Sequence, residues 1–248
     1  MAKQSGIFKV EGTLDDVTFV KRGEKYFVKK KGGVSRQKIM SSGNFARTRE
    51  NISEFGEVAR AGKILRSAGA PIFRKAYDPK LCNRLFSAFT KVKNLDTVSE
   101  RGARKVGIGL ATAAGKDLLK QLHFNDTPLN TVLFAPYSVV AATGVISIPN
   151  FVPQEMLNIP ANATQVGFCS AFLVVDFETG LSELGLSPII HVDINMTSSD
   201  VVLTPAAVPT LAGIKMHFLL VAFYQEINGA EYALNDGGFN VVGLVGIE

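Results

Sequence analysis

Residues 127–175 read TPLNTVLFAPYSVVAATGVISIPNFVPQEMLNIPANATQVGFCSAFLVV, a run of 49 residues with one charged side chain, Glu155. The run is long enough to cross a bilayer, but Pro128, Pro136, Pro149, Pro153 and Pro160 break it too often for a membrane helix. Its Val, Ile, Thr and Phe content and its turn residues predict β-strands instead. The pattern continues downstream, with strand candidates at 166–177, 189–196, 201–204, 214–227, 231–234 and 239–247. Turns are marked by Glu178-Thr179-Gly180, Asn228-Gly229 and Asn235-Asp236-Gly237-Gly238. Many short strands at this spacing predict an antiparallel β-sandwich or jelly roll. No solenoid-type repeat is present.

Upstream of Thr127 the character differs. Ile7–Glu11, Val17–Val20 and Tyr26–Val28 predict short strands, with a turn at Asp15-Asp16 and a β-hairpin about Lys21-Arg22-Gly23-Glu24-Lys25. Lys29-Lys30-Lys31-Gly32-Gly33 closes this unit. From Asn44 to about Ser67, Phe45, Ile52, Phe55, Val58, Ala59 and Leu65 recur at helical steps. Gly56, Ala59, Ala61 and Gly62 narrow that helix on one side. Asp78-Pro79 is a helix-start signal, and Leu81, Cys82, Leu85, Phe86, Phe89 and Val92 mark the buried face that follows. A shorter helix is expected over 113–122. The fold class is therefore α+β, with a strand-and-helix part over 1–126 and a charge-poor sandwich part over 127–248.

Charge is distributed as unevenly as the strands. Residues 1–105 hold 24 Lys+Arg and 10 Asp+Glu, or +14, and residues 106–248 hold 3 and 12, or −9; together these give the net +5 of the 248-residue chain. Hydrophobic content of 46% with 20% charged residues describes a folded protein rather than a disordered one. The first residues, Met1 to Gly6, lead straight into alternating sequence without the apolar core of a secretory signal. Cys82 and Cys169 sit among apolar neighbours in different parts of the chain and are expected to be buried free thiols. The expected compartment is cytoplasmic.

Motifs that carry chemistry are few. Gly107-Ile108-Gly109 through Gly115-Lys116 suggests a phosphate loop, but Asp117 stands where a hydroxyl must hold magnesium. Tight packing or a bend is the expected role. His191 and Asp193 share a strand face, without a serine elbow or reactive cysteine to accompany them. Asp193–Asp200 has alternating oxygen side chains but lacks the central glycine and terminal glutamate of a calcium loop. No cofactor, metal or small-molecule substrate is implied, and the absence of Trp removes the usual platform for carbohydrate.

Three clusters resemble those of a widespread family of uncharacterised bacterial proteins. These are Lys31-Gly32-Gly33-Val34-Ser35; Arg47-Thr48-Arg49-Glu50-Asn51 with Glu54-Phe55-Gly56 and Ala61-Gly62-Lys63; and Phe223 through Gly229. The resemblance implies one architecture reaching both ends of the chain, and it brings no activity or catalytic residue with it.

The expected function is that of a non-enzymatic structural protein that self-associates, as a homo-oligomer or as a filament or phage-like particle. Charge-poor strands leave edges and faces unprotected, and a basic part can dock on the acidic part of the next subunit. The candidate partner-binding residues are Lys21, Arg22, Lys25, Lys29, Lys30, Lys31, Arg36, Lys38, Arg47 and Arg49. Those between Lys21 and Lys38 surround Tyr26 and Phe27, which makes nucleic acid the rival partner. A sandwich-type ligand-binding module is the remaining alternative.

Overall fold

Four short strands open the chain of the computed structural model, which describes residues 2–248: Ala2–Lys3 (β1), Gly12–Leu14 (β2), Val17–Arg22 (β3) and Lys25–Lys30 (β4). They form an antiparallel sheet in the order β1-β4-β3-β2. The expected hairpin is present, with Arg22 opposite Lys25 across a two-residue turn that places Gly23 at φ +60°. Ile7–Glu11 departs from expectation and is not a strand. There the Gln4 side chain acts as a local bracket, donating to the Val10 carbonyl at 3.1 Å and accepting its N–H at 3.0 Å. Arg36–Ser41 (α1) follows, capped by the Ser35 hydroxyl, which accepts the Lys38 N–H at 3.2 Å.

The chain divides into two compact units between Glu50 and Asn51, inside the helix Ala46–Ala68 (α2). Within the second unit α2 buries Val58, Ala61, Gly62 and Leu65 together with Glu54. Ile52 and Phe55 are exposed, so the buried stripe lies to one side of the one expected, and Phe55 packs instead against Phe86 with ring centres 4.4 Å apart. Ala70–Phe73 (α3) is a single turn. Leu81–Lys93 (α4) starts two residues after Pro79, with the Asp78 carboxylate accepting the Lys80 N–H at 2.7 Å. It buries Leu81, Leu85, Phe89 and Val92, but Cys82 is exposed. Cys169 is buried as expected, and both thiols are free. Val106–Ala111 (α5) and Ala113–Lys120 (α6) meet at Thr112. The glycine run serves close packing: a Cβ at Gly109 would strike the Val92 carbonyl, and one at Gly115 the Gly109 carbonyl.

The remaining strands are Ser138–Val140 (β5), Val145–Phe151 (β6), Gln165–Val175 (β7), Ser182–Leu186 (β8), Ile190–Asp193 (β9), Ser199–Leu203 (β10), Ile214–Ile227 (β11), Ala230–Ala233 (β12) and Val241–Ile247 (β13), with the turn of helix Pro153–Met156 (α7) between β6 and β7. All pair antiparallel. β7 and β11 form the centre of a six-stranded sheet, with β8 and β9 along the outer edge of β7 and β12 and β13 along that of β11. Asn228 and Gly229, both at positive φ, join β11 to β12 as a two-residue hairpin. A smaller sheet runs β10-β6-β5.

These elements stack in three layers. Cys169, Ala171, Leu173, Met216, Phe218 and Leu220 face Leu65, Phe73, Leu85, Phe89 and Leu110 of the helices. The alternate residues Val166, Phe168, Leu219, Val221 and Phe223 face Ile146, Ile148, Phe151, Val201 and Leu203 of the small sheet. The two sheets are the expected sandwich, and the helices cover the outer side of the larger one. Val166–Val175 is buried at every position, and so is Met216–Phe223. Burial on both faces removes the alternation that a half-exposed strand shows. It also accounts for the low charge of residues 165–175 without any neighbouring molecule. The change of charge at Thr127 falls inside the second compact unit. Among the described residues no helix is long and apolar enough to cross a membrane.

Candidate interaction surface

None of residues 2–50 is buried, although the N-terminal sheet contains Leu14, Val17, Phe19, Tyr26, Phe27 and Val28. Its register separates these side chains by face. Leu14 opposite Val17, Phe19 opposite Val28 and Lys21 opposite Tyr26 share one face, with Lys30 beside Val17. The other face carries Lys3 opposite Phe27, Val20, Arg22 opposite Lys25, and Lys29 opposite Thr18. The sheet is therefore amphipathic, with an apolar face flanked by Lys21 and Lys30 and a basic face set by Lys3, Arg22, Lys25 and Lys29. Like charges placed directly opposite, as Arg22 and Lys25 are, destabilise a strand pair unless an anion meets them.

Not all ten candidate residues belong to this sheet surface. Lys21 lies over the Tyr26 ring, its Nζ 5.5 Å from the ring centre, and Lys9 approaches the same ring at 6.0 Å. Lys31 follows β4, while Arg36 and Lys38 are exposed on α1. Arg47 pairs with Glu50 at 2.9 Å, one helical turn on. Arg49 is part-buried and donates to the Ile39 and Ser42 carbonyls at 2.8 and 2.7 Å, which gives it a local structural role.

The other sequence motifs are engaged locally. His191 Nδ1 lies 3.1 Å from a Glu231 carboxylate oxygen and its ring beside Tyr224, whereas Asp193 accepts from Gln165 Nε2 at 2.9 Å. The two residues share a strand without forming a dyad. In the calcium-like stretch, the Asn195 side chain accepts the Thr197 N–H and Asp200 the Asn150 N–H, each at 2.8 Å. Among the described residues no group of three or more His, Cys, Asp or Glu is placed to hold a metal.

Two charged clusters in the second unit escape a motif search. Glu54, 5% exposed, bonds Lys93 Nζ, accepts the Gly102 N–H at 2.8 Å and has Arg104 Nε at 3.5 Å. Burial pushes the Glu54 carboxyl up, but Lys93, Gly102 and Arg104 outweigh it and hold it below its ordinary value. Asp96 caps the adjoining loop, accepting the N–H groups of Val98, Ser99 and Lys105 at 2.9 Å each. Against the opposing effect of burial these bonds lower its carboxyl to about 2. A signal for the first cluster is present in the sequence: Glu54 stands four residues before Val58 and Lys93 four after Phe89, charges of opposite sign on two apolar faces. The second cluster joins Arg84 to Asp78 at 2.8 Å and to Asp126 at 2.7 Å, with Lys80 also on Asp126 at 2.9 Å. It borders a cleft of about 470 Å³.

Compared with models of known protein families, with curated proteins and with solved structures, the chain has no match. What supports a function is thus the chain's own geometry.

Proposed function

We propose that this is a non-enzymatic structural protein that self-associates, the apolar face of the N-terminal sheet of one copy docking on the acid-rich C-terminal half of another. One observation carries the proposal: a four-stranded sheet with Leu14, Val17, Phe19, Tyr26 and Val28 on one face has no buried residue. An antiparallel sheet gains its stability by burying one face, and here that face is covered only in part, with Leu14 exposed and Val17, Phe19, Tyr26 and Val28 half-buried. A second copy fits as occupant by charge. Residues 1–50 hold 12 Lys+Arg and 5 Asp+Glu, a net +7, against −9 over residues 106–248. Lys21 and Lys30 flank the apolar centre, where charges steer approach while apolar burial holds the contact. Docking one surface on a different one is heterologous, and propagates into rings or filaments.

Sedimentation velocity and light scattering test this at micromolar concentration. The expected result is a species well above the 26.7 kDa of one chain, abolished by Phe19→Ser with Val28→Ser and formed more slowly by Lys21→Glu with Lys30→Glu. Salt should slow association without dissolving the product, since charges are screened over about 10 Å at 0.1 M salt while apolar burial persists. A monomer at every concentration and at low salt would overturn the proposal.

Nucleic acid remains the second reading because the opposite face places Lys3, Arg22, Lys25 and Lys29 around Phe27. Phosphate contacts there predict a gel shift that weakens steeply with salt and is lost in Arg22→Gln, Lys25→Gln, Lys29→Gln. No shift with single-stranded DNA or RNA at about 50 mM salt, where such contacts persist, removes it.

A further inference from the structure

The last turns of α2 and the turn that follows α3 bring Arg66 and Arg74 to one cleft of about 320 Å³. Several other cations of the second unit have a carboxylate: Arg84 has Asp78, Lys93 has Glu54, Arg60 has Glu57 and Lys105 has Glu178. Arg66 and Arg74 have none among the described residues. Arg66 Nε is in addition shut off from solvent with no hydrogen-bond acceptor. A shielded donor without an acceptor is unfavourable, and more so when the group is charged. Two guanidinium groups lining one recess are matched in shape and charge by an oxyanion held through paired N–H donors.

The rest of the cleft defines the body of such a ligand. Phe73 is buried beside it, and Tyr77, 77% exposed, stands at its border. Asp78 also borders the cleft, but its carboxylate is committed to Arg84 and to the N–H groups of Lys80 and Asp126. The surrounding field favours an anion as well, since residues 51–105 carry 12 Lys+Arg against 5 Asp+Glu. We propose that this cleft binds a small organic oxyanion, a carboxylate or a phosphate ester, with its charged head on Arg66 and Arg74 and its apolar body against Phe73 and Tyr77. The site lies wholly in the second unit and does not depend on self-association.

Cys82 provides the test, because it borders the same cleft and is exposed while Cys169 is buried. The rate at which neutral iodoacetamide alkylates Cys82 is measured by mass spectrometry against phenyl phosphate and, separately, benzoate. Saturable protection is expected from at least one, and the comparison tells whether the head group is phosphate or carboxylate. Protection should weaken at least tenfold in Arg74→Gln, an exposed position, and in Arg66→Gln. Arg66→Lys should recover it only in part, and Lys116→Gln should leave it unchanged. Circular dichroism of each variant establishes that it is folded, and Arg74→Gln alone suffices should Arg66→Gln fail to fold. No protection by either anion at about 10 mM, where a site of about 1 mM Kd is roughly nine-tenths filled, would overturn the proposal. So would equal protection in folded Arg74→Gln.

Discussion

Changing Glu54 to Gln keeps the shape of the side chain and an acceptor for the Gly102 N–H, and removes one charge from a buried pair. Lys93, 8% exposed, then retains only Asn94 Oδ1 at 3.0 Å as a polar partner, and Arg104 loses its carboxylate. Removing one member of a buried ion pair costs about 3–5 kcal/mol, because the other charge stays out of water without compensation. With a urea m-value of about 3 kcal/mol/M, the unfolding midpoint should fall by roughly 1–1.7 M. The chain has no Trp, so helix ellipticity is the probe, and it reports on α2 and α4, the two helices that the pair joins. The double variant with Lys93→Met should regain about 2 kcal/mol or more, since replacing both members by uncharged groups leaves no charge stranded. A Glu54→Gln shift within about 0.5 kcal/mol, the range of ordinary surface changes, would refute the claim that this pair locks the helices. An additive double variant would refute it equally.

Three further outcomes are expected. His217 is 1% exposed, with neither ring nitrogen hydrogen-bonded, and it packs against Phe172 at 4.5 Å and across from Gly246. Burial lowers its pKa from 6.5, with Lys215 acting in the same sense and Glu248 opposing. Below about pH 6.5 the unfolded chain therefore binds a proton that the folded one refuses, and stability falls by up to about 1.4 kcal/mol per pH unit until the lower folded pKa is passed. His217→Phe should flatten urea midpoints measured between pH 7 and pH 5. Asp96 behaves in the usual carboxylate sense, contributing stability above pH 3.8 that is lost as pH falls to about 2. Asp96→Asn should cost about 2 kcal/mol at neutral pH and reduce acid sensitivity in that window. Gly109→Ala should cost at least about 1–3 kcal/mol by thermal melting, because the new methyl meets the Val92 carbonyl rather than a side chain that can turn away.

Local order was legible in the residues themselves. Gly23 and Asn228-Gly229 announce hairpins because few residues accept positive φ, and both hairpins form. The helix expected over 113–122 forms as α6, and the structure adds its cap, the Thr112 hydroxyl accepting the Gly115 N–H at 3.1 Å. Strand composition and the break in charge at Thr127 marked the sheets, and helical spacing marked α2 and α4. Tertiary structure alone decided which sides of these elements are covered. Ile52 and Phe55 have the spacing of a buried stripe, yet the sheet meets α2 along Val58, Ala61 and Leu65, and Cys82 stays exposed beside buried Leu81. Charge partners were equally hidden, since Glu54 and Lys93 are 39 residues apart and Arg60 reaches the Phe177 carbonyl across 117. Hydrophobic period and turn chemistry act over a few residues, so a sequence declares them directly. Which faces pack, which charges meet and which, like those of Arg66 and Arg74, are left without a partner depend on distances set only when the layers close.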